Sequence, residues 1–123
     1  LPLAQVEAAL TALTMIEGDQ GLRGRLAANT EQFRAGLARM GADIGDSTTH
    51  ITPIMIRDEE RTLRAGTALF QEEQLILMPF VHPGVPKGTE RLRCSVTAAH
   101  TPEQLERSLG ALERVGRGLG FLR

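Results

Sequence analysis

The stretch Arg91-Leu92-Arg93-Cys94-Ser95-Val96-Thr97, followed three residues later by Thr101-Pro102-Glu103-Gln104, constrains the fold of this chain more than any other segment. Leu92, Cys94 and Val96 alternate with Arg91, Arg93, Ser95 and Thr97, the two-residue period of a strand with one face packed and one polar. Thr101 then has the chemistry of a helix N-cap, Pro102 suits the first helical position, and Gln104 completes a capping box. A one-faced strand that runs almost at once into a capped helix belongs to a sheet layered against helices. Leu105, Leu109, Leu112, Val115 and Leu119 give that helix a single apolar stripe.

The upstream segments fit the same plan. Leu3, Val6, Leu10, Leu13 and Ile16 recur at helical spacing, and Pro2 suits a first turn. Gly18 interrupts, Asp19 can cap a second helix, and Leu22, Leu26, Phe33, Leu37 and Met40 form its stripe until Gly41 stops it. Asn29 falls on that stripe and is expected to bond a neighbouring backbone. The run ITPIMIRD reads as a short strand largely covered on both faces, with Pro53 near its start or at an edge. Asp58 caps a third helix that turns Leu63, Gly66, Leu69 and Phe70 inward. LILMPF reads as a second covered strand, closed by the Pro- and Gly-rich loop VHPGVPKG. The expected order is α-α-β-α-β-β-α, an α+β domain with a small, mainly antiparallel sheet of three strands preceded by two long helices. Residues 1–41 form the helical segment and residues 42–123 the α+β domain.

Composition removes several classes of function. With 123 residues the chain is long enough to bury one real core. A net charge of −1, with no Trp, no Tyr and four Phe, gives neither the basic footprint nor the stacking surface that nucleic acid requires. No apolar run reaches the length of a membrane span and no signal-peptide pattern opens the chain, so a cytosolic home is expected. The chain begins Leu1-Pro2-Leu3 with a helical pattern already under way, as expected of a cut inside a longer protein. Cys94 is the single cysteine, which excludes an internal disulfide.

Few residues carry candidate chemistry. Arg91 and Arg93, two apart on a strand, share one face at roughly 7 Å spacing. A guanidinium presents a planar fork that grips a carboxylate through two parallel hydrogen bonds. Solvated surface arginines are the commoner outcome, so an anion site and a wetted face both remain open. Ser95 and Thr97 add hydroxyls to the same face. Lys87, the only lysine, lies between Pro86 and Gly88 in a loop, a poor place for a Schiff-base amine. His50, His82 and His100 lack metal-ligand spacing, so no metal site is expected. His100, immediately before the Thr101 cap, is expected to be structural. Cys94, on the packed face, is expected to be inert.

The wording of HITPIMIRDE and FQEEQLILMPFVHPGVPKGTERLRCSVTAAHTPEQLE resembles the C-terminal end of the α-oxoamine synthases, fold-type I enzymes dependent on pyridoxal phosphate (PLP). The family often reads P-x-V-P-x-G, a short gap, R-L-R, then A-x-H-T. Here these are Pro83-Gly84-Val85-Pro86-Lys87-Gly88, Arg91-Leu92-Arg93 and Ala98-Ala99-His100-Thr101. LPLAQVEAALTALTMIE is similar to the helix that follows the active-site lysine segment, so the likeness covers nearly the whole chain. The resemblance implies condensation of an amino acid with an acyl thioester of coenzyme A or an acyl carrier protein, with loss of carbon dioxide. It implies that Arg93 grips the amino acid's carboxylate, that Arg91 has a lesser role, and that His82–Gly88 form a mobile lip. It also implies a homodimer, and a larger upstream domain that supplies the lysine, aspartate and histidine around the cofactor. The fragment alone would be inactive. A free-standing regulatory or dimerisation module that binds a small anion is the competing expectation.

Overall fold

The structure is a computed structural model in which residues 2–122 are described; Leu1 and Arg123 lie outside the described residues. The chain folds as α1 (Leu3–Gly18), α2 (Gln20–Arg39), β1 (Ile51–Met55), α3 (Glu59–Glu73), β2 (Met78–Phe80), β3 (Arg91–Ser95) and α4 (Pro102–Leu119). This is the expected α+β order. The sheet runs β1-β3-β2 and both pairings are antiparallel. Among the described residues no helix is long and apolar enough to cross a membrane.

The core forms where the inner face of the sheet meets three helices. Leu92 and Cys94 from β3 pack with Leu37 of α2, Leu69 of α3 and Leu112 of α4, none more than 1% exposed. Fully burying a leucine contributes about 1.5–3 kcal/mol. Phe33, Leu105, Leu109 and Val115 complete the contact of α2 with α4. The two helices approach closely at Gly36, where any Cβ would overlap the Leu109 side chain.

The helix ends follow their local chemistry. Asp19 Oδ1 accepts from the amides of Gly21 and Leu22, and Asp58 Oδ1 accepts from Arg61. At α4, Thr101 Oγ1 accepts from the Gln104 amide and Gln104 Oε1 accepts from the Thr101 amide, a complete capping box. Asn29 Nδ2 donates to the carbonyls of Thr97 and His100 at 3.0 and 2.8 Å. That side chain fixes α2 to the turn between β3 and α4, as its place on an apolar stripe suggests.

Two expectations need correction. The inward face of α3 is Thr62, Ala65, Gly66 and Leu69, whereas Leu63 and Phe70 are 44% and 59% exposed. Small residues make that face because the helix lies close to the sheet, with Gly66 seated against Pro79. The second strand is Met78–Phe80 rather than the full LILMPF, and Ile76 and Met78 are exposed. Gln74 takes a left-handed conformation and the Leu75 amide bonds back to Leu69, which closes α3 before a strand can begin. β1 agrees with expectation: it is an edge strand that buries Thr52 and Ile54 and leaves Ile51, Pro53 and Met55 partly covered. The edge position is what admits Pro53.

Candidate functional site

The outer face of the sheet collects the candidate residues. β3 is the central strand, and its alternation sends Leu92 and Cys94 into the core and Arg91, Arg93 and Ser95 outward. Arg93 pairs with Pro53 on one side and Met78 on the other; Arg91 pairs with Met55 and Phe80. The two guanidinium groups therefore rise between apolar rows.

The two arginines are in different states. Arg91 is half-buried, and its Nε donates to the Thr89 carbonyl at 2.8 Å. That donor is committed to the chain's own backbone. Arg93 is exposed, and no hydrogen bond or ion pair joins its guanidinium to the other described residues. Its Cζ lies over the ring of Phe80, 5.8 Å from the centroid. Among the described residues, none engages the five side-chain N–H donors of Arg93, a fork suited to a planar anion. Arg93 also borders a groove of about 210 Å3, lined mostly by apolar side chains such as Phe33, Leu77 and Leu105.

The loop 82–88 leaves the sheet after Phe80 and returns at Arg91, which pair with each other and close its base. His82, Pro83, Gly84, Pro86, Lys87 and Gly88 are exposed and Val85 is half-buried. Gly88, at φ +81°, donates its amide to Glu90 Oε1 at 3.0 Å, and the Thr89 amide and hydroxyl donate to the Pro86 carbonyl. Lys87 stands in solvent, without the desolvation an amine nucleophile needs. Ser95 stays on the strand face, but Thr97 has turned into the entry of α4, where its amide donates to His100 Nδ1 at 3.0 Å. His100 and Thr101 thus serve the helix start. Cys94 is 1% exposed, and burial pushes its thiol up to about 12, so it is no nucleophile.

The geometry adds two residues, Phe80 and Glu90. Phe80 contacts Arg93 through a register that no single segment of sequence specifies. Glu90 is 4% exposed; its carbonyl accepts from the amides of Ile56 and Arg57, and its Oε2 has no partner among the described residues. The sequence did carry a signal for Glu90. It shares the even parity of Leu92, Cys94 and Val96, the packed face extended one step back.

Comparisons with known proteins point in one direction. The family model for aminotransferase class I and II matches residues 1–112. The 8-amino-7-oxononanoate synthase of Treponema denticola is 46% identical over 122 residues, which cover 99% of this chain and 31% of that protein. Serine palmitoyltransferase from S. paucimobilis, solved with bound PLP and myriocin, superposes with a TM-score of 0.83 at 32% identity, over 89% of this chain and 28% of that one. The 8-amino-7-oxononanoate synthase of Francisella tularensis superposes at 0.79 over 96% of this chain and 34% of that one; at 23% identity it bears on the fold alone. The chain spans about a third of the length of the relatives it matches.

Proposed function

This chain belongs to the aminotransferase class I and II family, in its α-oxoamine synthase branch, and from that premise we propose that it is the C-terminal part of a PLP-dependent synthase. The whole enzyme condenses an amino acid with an acyl thioester, carried by coenzyme A or an acyl carrier protein, and releases carbon dioxide and an α-amino ketone. Residues 42–123 form its small α+β domain. Residues 1–41 lead to the large domain, which would cover the bare apolar side chains of α1. The enzyme works as a homodimer in the cytoplasm.

Within that enzyme, Arg93 binds the carboxylate of the amino acid. The observation that carries this reading is the set of unengaged donors on Arg93, set between apolar rows, beside an Arg91 whose Nε is already committed to Thr89. A bidentate grip fixes both the position and the plane of the carboxylate, so the bond to be broken is held in one orientation. When bound, PLP supplies the electron sink. The residues of this chain do not fit covalent attachment of that cofactor, because Lys87 is solvent-exposed; the remaining two thirds of the enzyme must hold it. The loop His82–Gly88 acts as a lip over the bound amino acid, hinged where Phe80 and Arg91 pair. Alone, the 123-residue chain is inactive.

Substitution in the full-length enzyme tests the assignment. Hydrogen bonds to a charged group contribute about 1.5–3 kcal/mol each, so Arg93→Ala should weaken amino-acid binding at least tenfold and lower turnover. Arg93→Lys keeps the charge without the fork and should rescue in part. The KM for the acyl thioester should stay near wild type, and Arg91→Ala should be milder. Amino-acid binding that survives Arg93→Ala but fails with Arg91→Ala would identify the other arginine as the anion receptor.

A further inference from the structure

We propose that Phe80 is a positioning residue that holds the Arg93 guanidinium in its carboxylate-receiving pose, an inference that rests on the role given to Arg93 above. The register sets Met78 directly opposite Arg93 and Phe80 opposite Arg91, so Phe80 is the diagonal neighbour of Arg93 on the same outer face. Diagonal neighbours on antiparallel strands stand about 7–8 Å apart, a span that an aromatic ring and a long side chain can bridge. They do so here: Arg93 Cζ lies 5.8 Å from the ring centroid, within the range at which a ring quadrupole attracts a cation.

The kind of contact matters as much as its presence. A substrate-binding arginine must be held in place, because a long exposed side chain otherwise samples many rotamers. A carboxylate partner would hold it, but would occupy its donors and neutralise its charge. An aromatic ring holds the cation and uses no hydrogen-bond donor, which leaves the fork charged and free. Arg91 shows the alternative, a guanidinium anchored through its own Nε to Thr89. The ring is also placed to link two parts of the site. Phe80 ends β2, and the loop 82–88 begins two residues later.

The test uses the full-length holoenzyme and compares Phe80→Leu, which keeps an apolar side chain without a π face, with Phe80→Tyr, which keeps the ring. L-Serine and L-alanine are the probes, and binding of each is measured by isothermal titration in the absence of thioester. An exposed cation–π contact corresponds to about a two- to fivefold change in affinity. Phe80→Leu should weaken the probe that binds by that factor, Phe80→Tyr should bind as wild type, and the thioester KM and unfolding temperature should not move. In an Arg93→Ala background, read as kcat/KM for the amino acid, Phe80→Leu should add nothing, because the two changes remove one interaction. An effect of Phe80→Leu that persists in that background, or a matching loss in Phe80→Tyr, would mark a general strand defect and overturn the proposal. Arg93→Ala that weakens binding while Phe80→Leu does not would overturn it alone and leave the carboxylate assignment standing. Binding unaffected by Arg93→Ala, or neither probe bound by wild type, would remove both.

Discussion

Helices α1 and α4 are of similar length, 16 and 18 residues, and are held in opposite ways. α4 buries Leu105, Leu109, Ala111, Leu112, Val115 and Gly116, starts in a capping box and ends at Gly120 in a left-handed conformation. α1 buries none of its residues and has no side-chain cap at Pro2; Leu3, Val6, Leu10, Leu13, Met15 and Ile16 are all between 40% and 81% exposed. Both helices carry apolar residues at helical spacing, so the spacing by itself does not say what covers them. The difference lies in the rest of the sequence around each helix. α4 follows a one-faced strand through a short turn, so its stripe lands on a surface that the same chain supplies. α1 has only the start of another helix beside it. One helix is stabilised by this chain; the other is left bare by it, and in the proposed enzyme the large domain would cover it.

The largest effect that would break this comparison is in α4. Leu112 is fully buried among α2, α3 and the sheet, and truncating such a leucine removes its transfer energy and leaves a cavity. Leu112→Ala should cost about 2–5 kcal/mol in a urea titration of the 123-residue chain. A loss comparable with that of an exposed leucine would mean that α4 is not the core helix. A smaller effect sharpens the same point at the helix start. Thr101→Ala removes the acceptor for the Gln104 amide and breaks the capping box, and should cost about 1 kcal/mol. An unchanged midpoint would show that the α4 entry draws its order from Asn29 and His100 rather than from the cap.

What the sequence made legible divides along the same line. Asp19, Asp58 and Thr101 were readable as caps because a cap is settled within three or four residues. The parity of β3 was readable because alternation needs only one strand. Asn29 was readable as a backbone partner because a polar group on an apolar stripe must be satisfied somewhere. The failures are all questions of what approaches from elsewhere. Of the inward set Leu63, Gly66, Leu69 and Phe70 that the α3 sequence suggests, Gly66 and Leu69 face in, but Leu63 and Phe70 turn out and Thr62 and Ala65 turn in, on a face where Gly66 seats against Pro79. LILMPF reads as one strand in the sequence because apolar runs look alike, whether sheet edge or helix exit, and only Met78–Phe80 is strand. The site shows the same limit: the arginine face was visible from β3, while the Phe80 contact depends on the pairing of two strands that are joined through a ten-residue connection.

The smallest expected effect probes α1 directly, and its size depends on context. Leu10 is 53% exposed, so in the 123-residue chain Leu10→Ser deletes little buried surface. Substitutions at such positions usually stay within about 0.5 kcal/mol, and the urea midpoint should hardly move. The same change should have a second, opposite-looking consequence. The exposed side chains of α1 form the kind of apolar patch that drives self-association, so the wild-type chain should be oligomeric in light scattering at high concentration, and Leu10→Ser should shift it towards monomer. In the full-length enzyme the large domain would cover Leu10, and a polar hydroxyl in that contact would cost more than a kilocalorie per mole, about the range for a buried polar group without a partner. A large loss in the short chain would mean that α1 is already packed there, contrary to its exposure. A small loss in both contexts, with no change in association, would mean that nothing covers α1. Only a small loss in the fragment together with a large one in the whole enzyme fits a helix whose stabilising surface lies in another part of the same protein.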